Sequence, residues 1–340
     1  MYYYGAPAAR WHTGARIVVV DSVDTVDSPL RPLRPLDMAP KPRRIYLADR
    51  PNIVVILADD MGYSDIGCYG GEIKTPSLDK MASEGLRFTQ FYNAARCCPT
   101  RASLLTGLYP HQAGMGGMVN GGGDTRPEGP YQGYLNEQSV TIAEVLKTAG
   151  YGTYMSGKWH VGEERPHWPV DRGFDRYYGL ISGGMNYFDI DKGKADDVTR
   201  RFAIDGEAHR PPNKDFYMTD AITEHAVGYL EEAQAKEEPF FLYVAYNAPH
   251  WPLHAPEEAI QRYVGKYRDG WEPIRAARYE RMRELGIVDD TWPLTPPDDG
   301  VADWDGVKDK SLLDRKMAVY AAQVELMDRG IGSIMKQLEH

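Results

Sequence analysis

The sequence of 340 residues predicts an α/β fold with a mostly parallel sheet and helices on both faces. Two observations carry this prediction. Apolar runs of strand length alternate with amphipathic segments of helical length, which is the pattern of strand–helix–strand units. The run from Asn52 to Ala58 is almost entirely apolar and rich in β-branched residues, as a parallel strand buried on both faces requires.

The expected elements follow from helix caps, breakers and periodicity. Thr75 and Pro76 are typical of a helix start, and Thr141 and Glu144 have the spacing of a capping box. Glycines at the far ends are typical helix stops. Expected strands cover residues 52–58, 86–92, 153–155 and 240–246. Expected helices cover residues 75–85, 97–107, 141–150, 217–235, 261–285 and 311–338.

The first 50 residues differ from the rest of the chain. They are rich in Pro and Arg and show no sustained strand or helix period. We therefore expect residues 1–50 to form a poorly ordered extension and residues 51–340 to form the regular domain. Within that domain, the Gly-rich stretch 114–133 is expected to be either a mobile surface loop or a loop that faces a substrate.

Charge and composition exclude several kinds of partner. A net charge of −10 argues against nucleic acid and anionic membranes, because both attract basic surfaces. No apolar run reaches the roughly 18 to 20 residues that span a bilayer, so no membrane span is expected. The three cysteines, Cys68, Cys97 and Cys98, cannot form a disulfide framework, and the adjacent pair is poorly placed for a CxxC-type metal site.

Asp59 and Asp60 directly follow the first predicted strand. Adjacent residues of a strand point to opposite faces, so both carboxylates can serve one site only if the chain turns there, which Gly62 permits. Paired carboxylates suit a hard cation such as Ca²⁺ or Mg²⁺, whereas a solvated acidic turn is the simpler alternative. Ligand sites of such folds lie beyond the carboxyl ends of the strands, and His250 follows the last predicted strand.

A second group of residues surrounds Cys97. The helix predicted for residues 97–107 places Cys97 at the positive end of the helix dipole, where an anion or a nucleophile is favoured. Arg101, one turn further on, can reach back toward the same point. Lys158 and His160 are two residues apart, so on an extended segment a cation and a proton acceptor face the same side.

The segment around Cys97 resembles the signature of the sulfatase family, C-x-P-x-R followed by T-G. The matching residues are Cys97, Pro99, Arg101, Thr106 and Gly107. The resemblance extends over residues 51–340 through three more motifs in the family's order, at residues 58–63, 157–162 and 248–252. It implies an alkaline phosphatase-like fold and a sulfuric ester hydrolase of the arylsulfatase type, which releases sulfate from an aryl or carbohydrate ester.

The resemblance also assigns roles. A separate formylglycine-generating enzyme is expected to oxidise Cys97 to formylglycine, whose hydrated aldehyde is the family's nucleophile. Arg101 is expected to hold that hydrate and Lys158 to contact both it and the sulfate. His160 becomes the base for sulfate elimination, and His250 binds sulfate and helps protonate the leaving oxygen.

By the same resemblance, Asp59, Asp60 and the modified Cys97 are expected to hold Ca²⁺ or Mg²⁺. Family members add an Asp-Asn pair and a lysine from sequence that would follow His340. We therefore expect residues 51–340 to be the larger, N-terminal portion of a sulfatase catalytic domain with its C-terminal part missing, and the chain alone to have weak or no activity.

Two other functions and two compartments stay open at this point. One alternative is a formylglycine-dependent hydrolase of phosphodiesters or phosphonates, and the other is an inactive binding protein that keeps the sulfate pocket. No signal peptide is visible, so the chain as it stands is expected to be cytoplasmic. The family resemblance instead implies a periplasmic or secreted protein.

Overall fold

A computed structural model of the chain describes residues 16–20, 50–119, 126, 128–192, 200–212 and 214–339. In this part of the chain seven strands form one sheet in the order β1-β2-β7-β3-β4-β5-β6. The first five strands in this order, β1, β2, β7, β3 and β4, pair in parallel. Strand β5 pairs antiparallel with β4, and β6 pairs antiparallel with β5. The strands are β1 Arg16–Val20, β2 Ile53–Asp59, β3 Gly152–Gly157, β4 Arg176–Leu180, β5 Phe202–Ile204, β6 Glu207–Ala208 and β7 Phe240–Pro249.

Helices cover both faces of the sheet, so the predicted fold class is confirmed. The α-helices are α1 Pro76–Glu84, α2 Cys97–Thr106, α3 Ile142–Thr148, α4 Met218–Lys236, α5 Glu257–Ile260, α6 Trp271–Glu284 and α7 Lys310–Leu338. Short 3₁₀ helices occupy Gly67–Tyr69, Pro169–Arg172 and Trp304–Gly306. Within the described ranges, every helix is too short or too polar to cross a membrane.

The two central strands supply two hydrophobic cores, because successive side chains of a strand point to opposite faces. Val54 and Ile56 of β2 pack with α1, α4 and α7 on one face. Val55 and Leu57 pack with α2 and α3 on the other face. Strand β7 alternates in the same way and is buried along its whole length. This double burial explains why both strands read as continuous apolar runs.

The strand predicted for residues 86–92 does not form. That segment has no regular structure, and Leu86 and Tyr92 are 63% and 65% exposed. The carbonyl oxygens of Phe88 and Thr89 accept hydrogen bonds from tyrosine hydroxyl groups rather than from a neighbouring strand. An alternating pattern makes a strand only where a partner strand supplies the ladder, which the sequence pattern cannot reveal.

One further expectation needs correction. The helix predicted for residues 261–285 begins only at Trp271, because Gly265 and Gly270 adopt φ angles of +90° and +89° that break a right-handed helix. Within the expected N-terminal extension the structure describes strand β1, which pairs with β2. Residues 1–15 and 21–49 lie outside the described residues, and the domain boundary near residue 50 stays a prediction.

The start of α1 is capped from a distant helix. Thr75 holds the N-cap position as predicted, but its side chain makes no capping bond. Instead the buried carboxylate of Asp328, on α7, accepts hydrogen bonds from the backbone N–H groups of Ser77 (3.1 Å) and Leu78 (2.8 Å). A carboxylate at a helix start also interacts favourably with the helix dipole. This contact therefore stabilises the packing of α1 on α7.

We expect Asp328→Ala to lower the free energy of unfolding by about 1–3 kcal/mol, because the N–H groups of Ser77 and Leu78, one partly and one fully buried, lose their acceptor. Urea denaturation followed by circular dichroism measures the change. Glu339→Ala is the matched control, since its exposed ion pair with Lys80 joins the same two helices and should be worth less than about 1 kcal/mol. Equal losses for the two variants would contradict the capping role.

Candidate active site

The predicted site residues meet at the carboxyl edge of the sheet. Asp59 ends β2, Lys158 follows β3, and His250 follows β7. These three strands are neighbours and parallel, so their carboxyl ends open onto the same place. Arg101 reaches this edge from α2, which packs on the adjacent face.

A buried charge cluster forms the floor of the site. The ammonium group of Lys158 donates to Asp59 Oδ2 at 2.5 Å, and Arg101 Nη2 lies 3.2 Å from Asp59 Oδ1. Arg101 Nη1 also donates to the carbonyl oxygen of Lys158 at 2.6 Å. All three side chains are fully buried, so two cations compensate one carboxylate and the cluster carries a net positive charge.

The pKa values of the neighbouring carboxylates Asp59 and Asp60 are shifted in opposite directions. Burial alone would raise the pKa of Asp59, but the charges of Lys158 and Arg101 outweigh it and lower that pKa. Burial, together with the negative charge of Asp59, raises the pKa of Asp60. Asp59 therefore stays ionised, and a cation beside Asp60 would favour the charged form of both groups.

Asp60 sits in a tight turn with a left-handed φ of +61°. The turn is held by Asp65, whose Oδ2 accepts from the backbone N–H of Gly62 (2.7 Å) and from the hydroxyl of Tyr320 on α7 (2.5 Å). Arg278 of α6 pairs with the other oxygen of Asp65 at 2.5 Å. Only the glycine was visible as a turn signal in the sequence; Asp65, Tyr320 and Arg278 were missed because they act across the fold.

Cys97 is the first residue of α2 and is buried beside Cys98 and His160. A hydrogen bond from Cys98, the positive charge of Lys158 and a hydrogen bond with His160 lower the pKa of the Cys97 thiol well below its usual range, although burial opposes this. Burial raises the pKa of Cys98. The two adjacent thiols therefore differ, and the lowered pKa of Cys97 favours its thiolate form.

His160 also has a left-handed backbone, with φ +55°, and its N–H bonds to the carbonyl oxygen of Ile181 at 3.1 Å. Burial lowers the pKa of His160 to about 4, so the imidazole is neutral at neutral pH. Gly183 faces the ring, and a Cβ at this position would lie 2.4 Å from Nε2. The absence of a side chain at Gly183 thus makes room for His160. In the sequence, Gly183 is only one of two adjacent glycines, and nothing there connects it to the site.

His250 is oriented by its own loop. Its Nδ1 lies 2.5 Å from the carbonyl oxygen of Trp251, and since a carbonyl only accepts, Nδ1 carries the proton. Nε2 is then left to face Asp60 Oδ2 at 3.4 Å. Two acceptors that face each other at this distance require a proton or a cation between them or nearby.

Several buried polar atoms of the site have no hydrogen-bond partner. They include the amide oxygen of Asn247, Nε of Arg101 and Nδ1 of His160. Buried polar groups are rarely left unpaired. The carboxylates of Asp59 and Asp60 fit a hard cation in donor type, and the guanidinium nitrogens of Arg101 fit an anionic oxygen.

All seven residues singled out in the sequence therefore lie at one edge of the sheet. They are Asp59, Asp60, Cys97, Arg101, Lys158, His160 and His250. Other histidines have structural surroundings instead. His225 stacks on Tyr178 with ring centroids 3.4 Å apart, and His254 packs among the rings of Tyr187 and Phe188.

Fold and site together define an α/β protein with adjacent acidic and basic side chains at the carboxyl edge of one sheet. Residues 51–340 match the family described as Sulfatase. The chain belongs to the sulfatase family, and its fold is the alkaline phosphatase-like fold of that family's solved structures.

Curated relatives and a solved structure agree with this assignment. The chain is 39% identical over 295 residues to an arylsulfatase of Klebsiella aerogenes and 37% identical over 308 residues to an uncharacterised sulfatase of Schizosaccharomyces pombe. These alignments cover 86% and 85% of the chain but 63% and 54% of the relatives. The crystal structure of Ps i-CgsB in complex with k-i-k-neocarrahexaose matches with a TM-score of 0.62 and 29% identity, over 86% of this chain and 55% of that one.

We expect Asp59→Asn to destabilise the fold by about 3–5 kcal/mol at pH 7, because Lys158 and Arg101 would keep buried charges without a partner. Urea unfolding with a chelator present measures this without bound cations. Asp60→Asn is the matched control, since Asp60 has a half-exposed side chain and should cost less than about 1 kcal/mol.

The Asp59 effect should also depend on pH in a defined direction. A lowered folded-state pKa gives stability that is present above the unfolded value of 3.8 and is lost as the pH falls through the folded value. The difference between the unaltered chain and Asp59→Asn should therefore shrink only in strong acid. A difference that disappears between pH 7 and pH 5 would contradict the buried ion pairs.

Proposed function

We propose that this site hydrolyses sulfuric esters of aryl or carbohydrate alcohols, with Cys97 converted to formylglycine by a separate enzyme and with Ca²⁺ or Mg²⁺ bound by Asp59 and Asp60. The observation that carries the proposal is the buried Asp59–Lys158–Arg101 cluster, which presents net positive charge beside Cys97. Family membership and the names of the relatives support it.

The positive charges beside Cys97 suit a sulfate group. Arg101 and Lys158 are buried and rigidly held, so their charges act in a medium of low polarity without the cost of rearranging solvent. The start of α2 adds the positive end of a helix dipole next to Cys97. A single negative charge on the ester is thus attracted locally, although the whole chain carries a net charge of −10.

The surroundings of each residue allow it one role in the hydrolysis of the ester. When Cys97 is converted, the hydrated aldehyde supplies the hydroxyl that attacks sulfur, and a divalent ion would supply further positive charge to the oxygens. When its ring is doubly protonated, His250 can donate the Nε2 proton to the leaving oxygen, since Nε2 faces the site. His160 is neutral at working pH and lies against Cys97, so it accepts the proton released when sulfate departs. Arg101 and Lys158 position the sulfate oxygens.

The substrate class follows from the relatives. The Klebsiella aerogenes protein is named an arylsulfatase, and Ps i-CgsB was solved with a neocarrahexaose, so aryl and carbohydrate sulfates are both proposed. The relatives named above are sulfatases, and the comparisons do not favour the phosphodiester or non-catalytic alternatives.

The first experiment combines modification with turnover. The chain is expressed with a formylglycine-generating enzyme, the peptide that contains Cys97 is weighed by mass spectrometry, and an aryl sulfate is offered with Ca²⁺. We expect conversion at Cys97 and release of sulfate, with turnover weak in this chain alone and higher once the C-terminal part of a family member is joined to it. Cys97→Ala should abolish conversion and reduce activity about 10³-fold or more.

Cys68→Ala is the control for that experiment, because Cys68 packs on the other face of the sheet and should leave conversion and hydrolysis unchanged. Conversion of Cys97 with no hydrolysis of any aryl or carbohydrate sulfate tested, even with the C-terminal part of a family member joined to the chain, would overturn the proposal. Turnover that persists in Cys97→Ala would overturn the role of Cys97.

Gly183→Ala tests the placement of His160. The added methyl group must displace the imidazole, whose Nε2 it would approach to 2.4 Å, and a shift of this size should lower kcat/KM about 10²-fold. Gly228→Ala is the matched control, because a Cβ there, on α4, meets nothing within 4 Å. Equal kinetics of the two variants would show that His160 does not depend on Gly183.

A further inference from the structure

Before any conversion, the surroundings of Cys97 contain a second kind of donor set. The sulfur atoms of Cys97 and Cys98 and a ring nitrogen of His160 all lie within 4.8 Å of one another. The thioether sulfur of Met118 lies 3.9 Å from Cys97 Sγ. These donors come from the start of α2, the segment after β3 and the loop after residue 114, so the fold assembles what the sequence keeps apart.

The geometry points to a site for one thiophilic ion: we propose that the unconverted chain binds copper(I) through Cys97, Cys98 and His160, with the sulfur of Met118 beside it. This site differs from the proposed hard-cation site in its donors, although the two adjoin. The inference concerns the thiol form of Cys97 and holds whether or not the proposed hydrolase function is correct.

Distances within the cluster suit a bound ion. Metal–sulfur bonds are about 2.3 Å and metal–nitrogen bonds about 2.0–2.1 Å, so two donors on one ion lie up to about 4.6 Å apart. Only a small contraction of the cluster is then needed. The buried Nδ1 of His160 has no hydrogen-bond partner, so the imidazole has a nitrogen that an ion can use or that a slight rotation can offer.

Donor type selects copper(I) over the other common ions. Thiolate and thioether sulfur are soft ligands, which favour copper(I), whereas Ca²⁺ and Mg²⁺ prefer oxygen. Two thiolates and one monovalent ion leave a single negative charge, and Lys158 and Arg101 place positive charge beside it. Zinc also accepts thiolate and imidazole, but the nearby thioether favours copper(I).

Sequence spacing alone argued against a metal at Cys97 and Cys98, because adjacent cysteines lack the spacing of a CxxC pair. The fold adds His160 and Met118, which no spacing rule connects to the pair. A bound ion would occupy the Cys97 thiol, so it should shield that thiol from alkylation and from oxidation to formylglycine.

The experiment uses the reduced chain expressed without the modifying enzyme. Copper(I) is titrated without oxygen against bicinchoninate, a coloured competing chelator. We expect one tightly bound equivalent, a loss of affinity of about 100-fold or more in Cys98→Ala, and no change in Cys68→Ala, the chain's remaining cysteine. Iodoacetamide labelling of Cys97 should fall when copper(I) is present.

Either of two titration results would overturn the inference: Cys98→Ala binds as tightly as the unaltered chain, or Cys68→Ala loses the bound equivalent. Because Cys98 is fully buried and its variant could fold poorly, X-ray absorption on the unaltered chain provides a second test. At least two sulfur neighbours near 2.3 Å are expected, and one or none would refute the site.

The outcome of the copper(I) experiment can be distinguished from the outcome of the sulfate hydrolysis experiment. If the unaltered chain does not bind copper(I), conversion at Cys97 and sulfate release can still be observed. Conversely, a chain that is never converted at Cys97 retains both thiols and should still bind the ion. Zinc binding of equal affinity through the same residues would refute the preference for copper(I).

Discussion

The structure depends on placing three charges out of water, two at the ends of strands and one on a helix. Asp59 is compensated by Lys158 and Arg101 only if β2, β3 and α2 hold their mutual positions. A buried charge without its partner costs several kcal/mol, so any shift of these elements is opposed strongly. The same cluster that constrains the fold leaves net positive charge beside Cys97, and the candidate chemistry follows from that surplus.

Supports for this cluster come from distant parts of the chain. The long helix α7 contributes Tyr320 to the turn that follows Asp60, and it contributes Asp328 to the start of α1. Helix α6 adds Arg278 to the same turn. The site on the sheet is therefore braced by helices more than 200 residues later in sequence, which is why its turn can keep a left-handed residue that would otherwise be strained.

Hard and soft donors form two adjoining groups. The carboxylates of Asp59 and Asp60 make up one, and the thiols of Cys97 and Cys98 with His160 make up the other. The positive charge of Lys158 acts on both groups: it pairs with Asp59 and lowers the pKa of Cys97. Conversion of Cys97 would remove one soft donor and supply an oxygen nucleophile, so a single modification changes which ions and anions the site prefers.

By itself, the sequence determined the central strands, most of the helices and the seven candidate residues, because these depend on short-range periodicity and on motifs a few residues long. It could not determine that residues 86–92 lack a partner strand, or that Gly265 and Gly270 delay α6. Nor could it assign Asp65, Tyr320 and Gly183 to the site. Those features were decided by the tertiary structure, since each depends on contacts between residues far apart in the chain, whose energies no local pattern records.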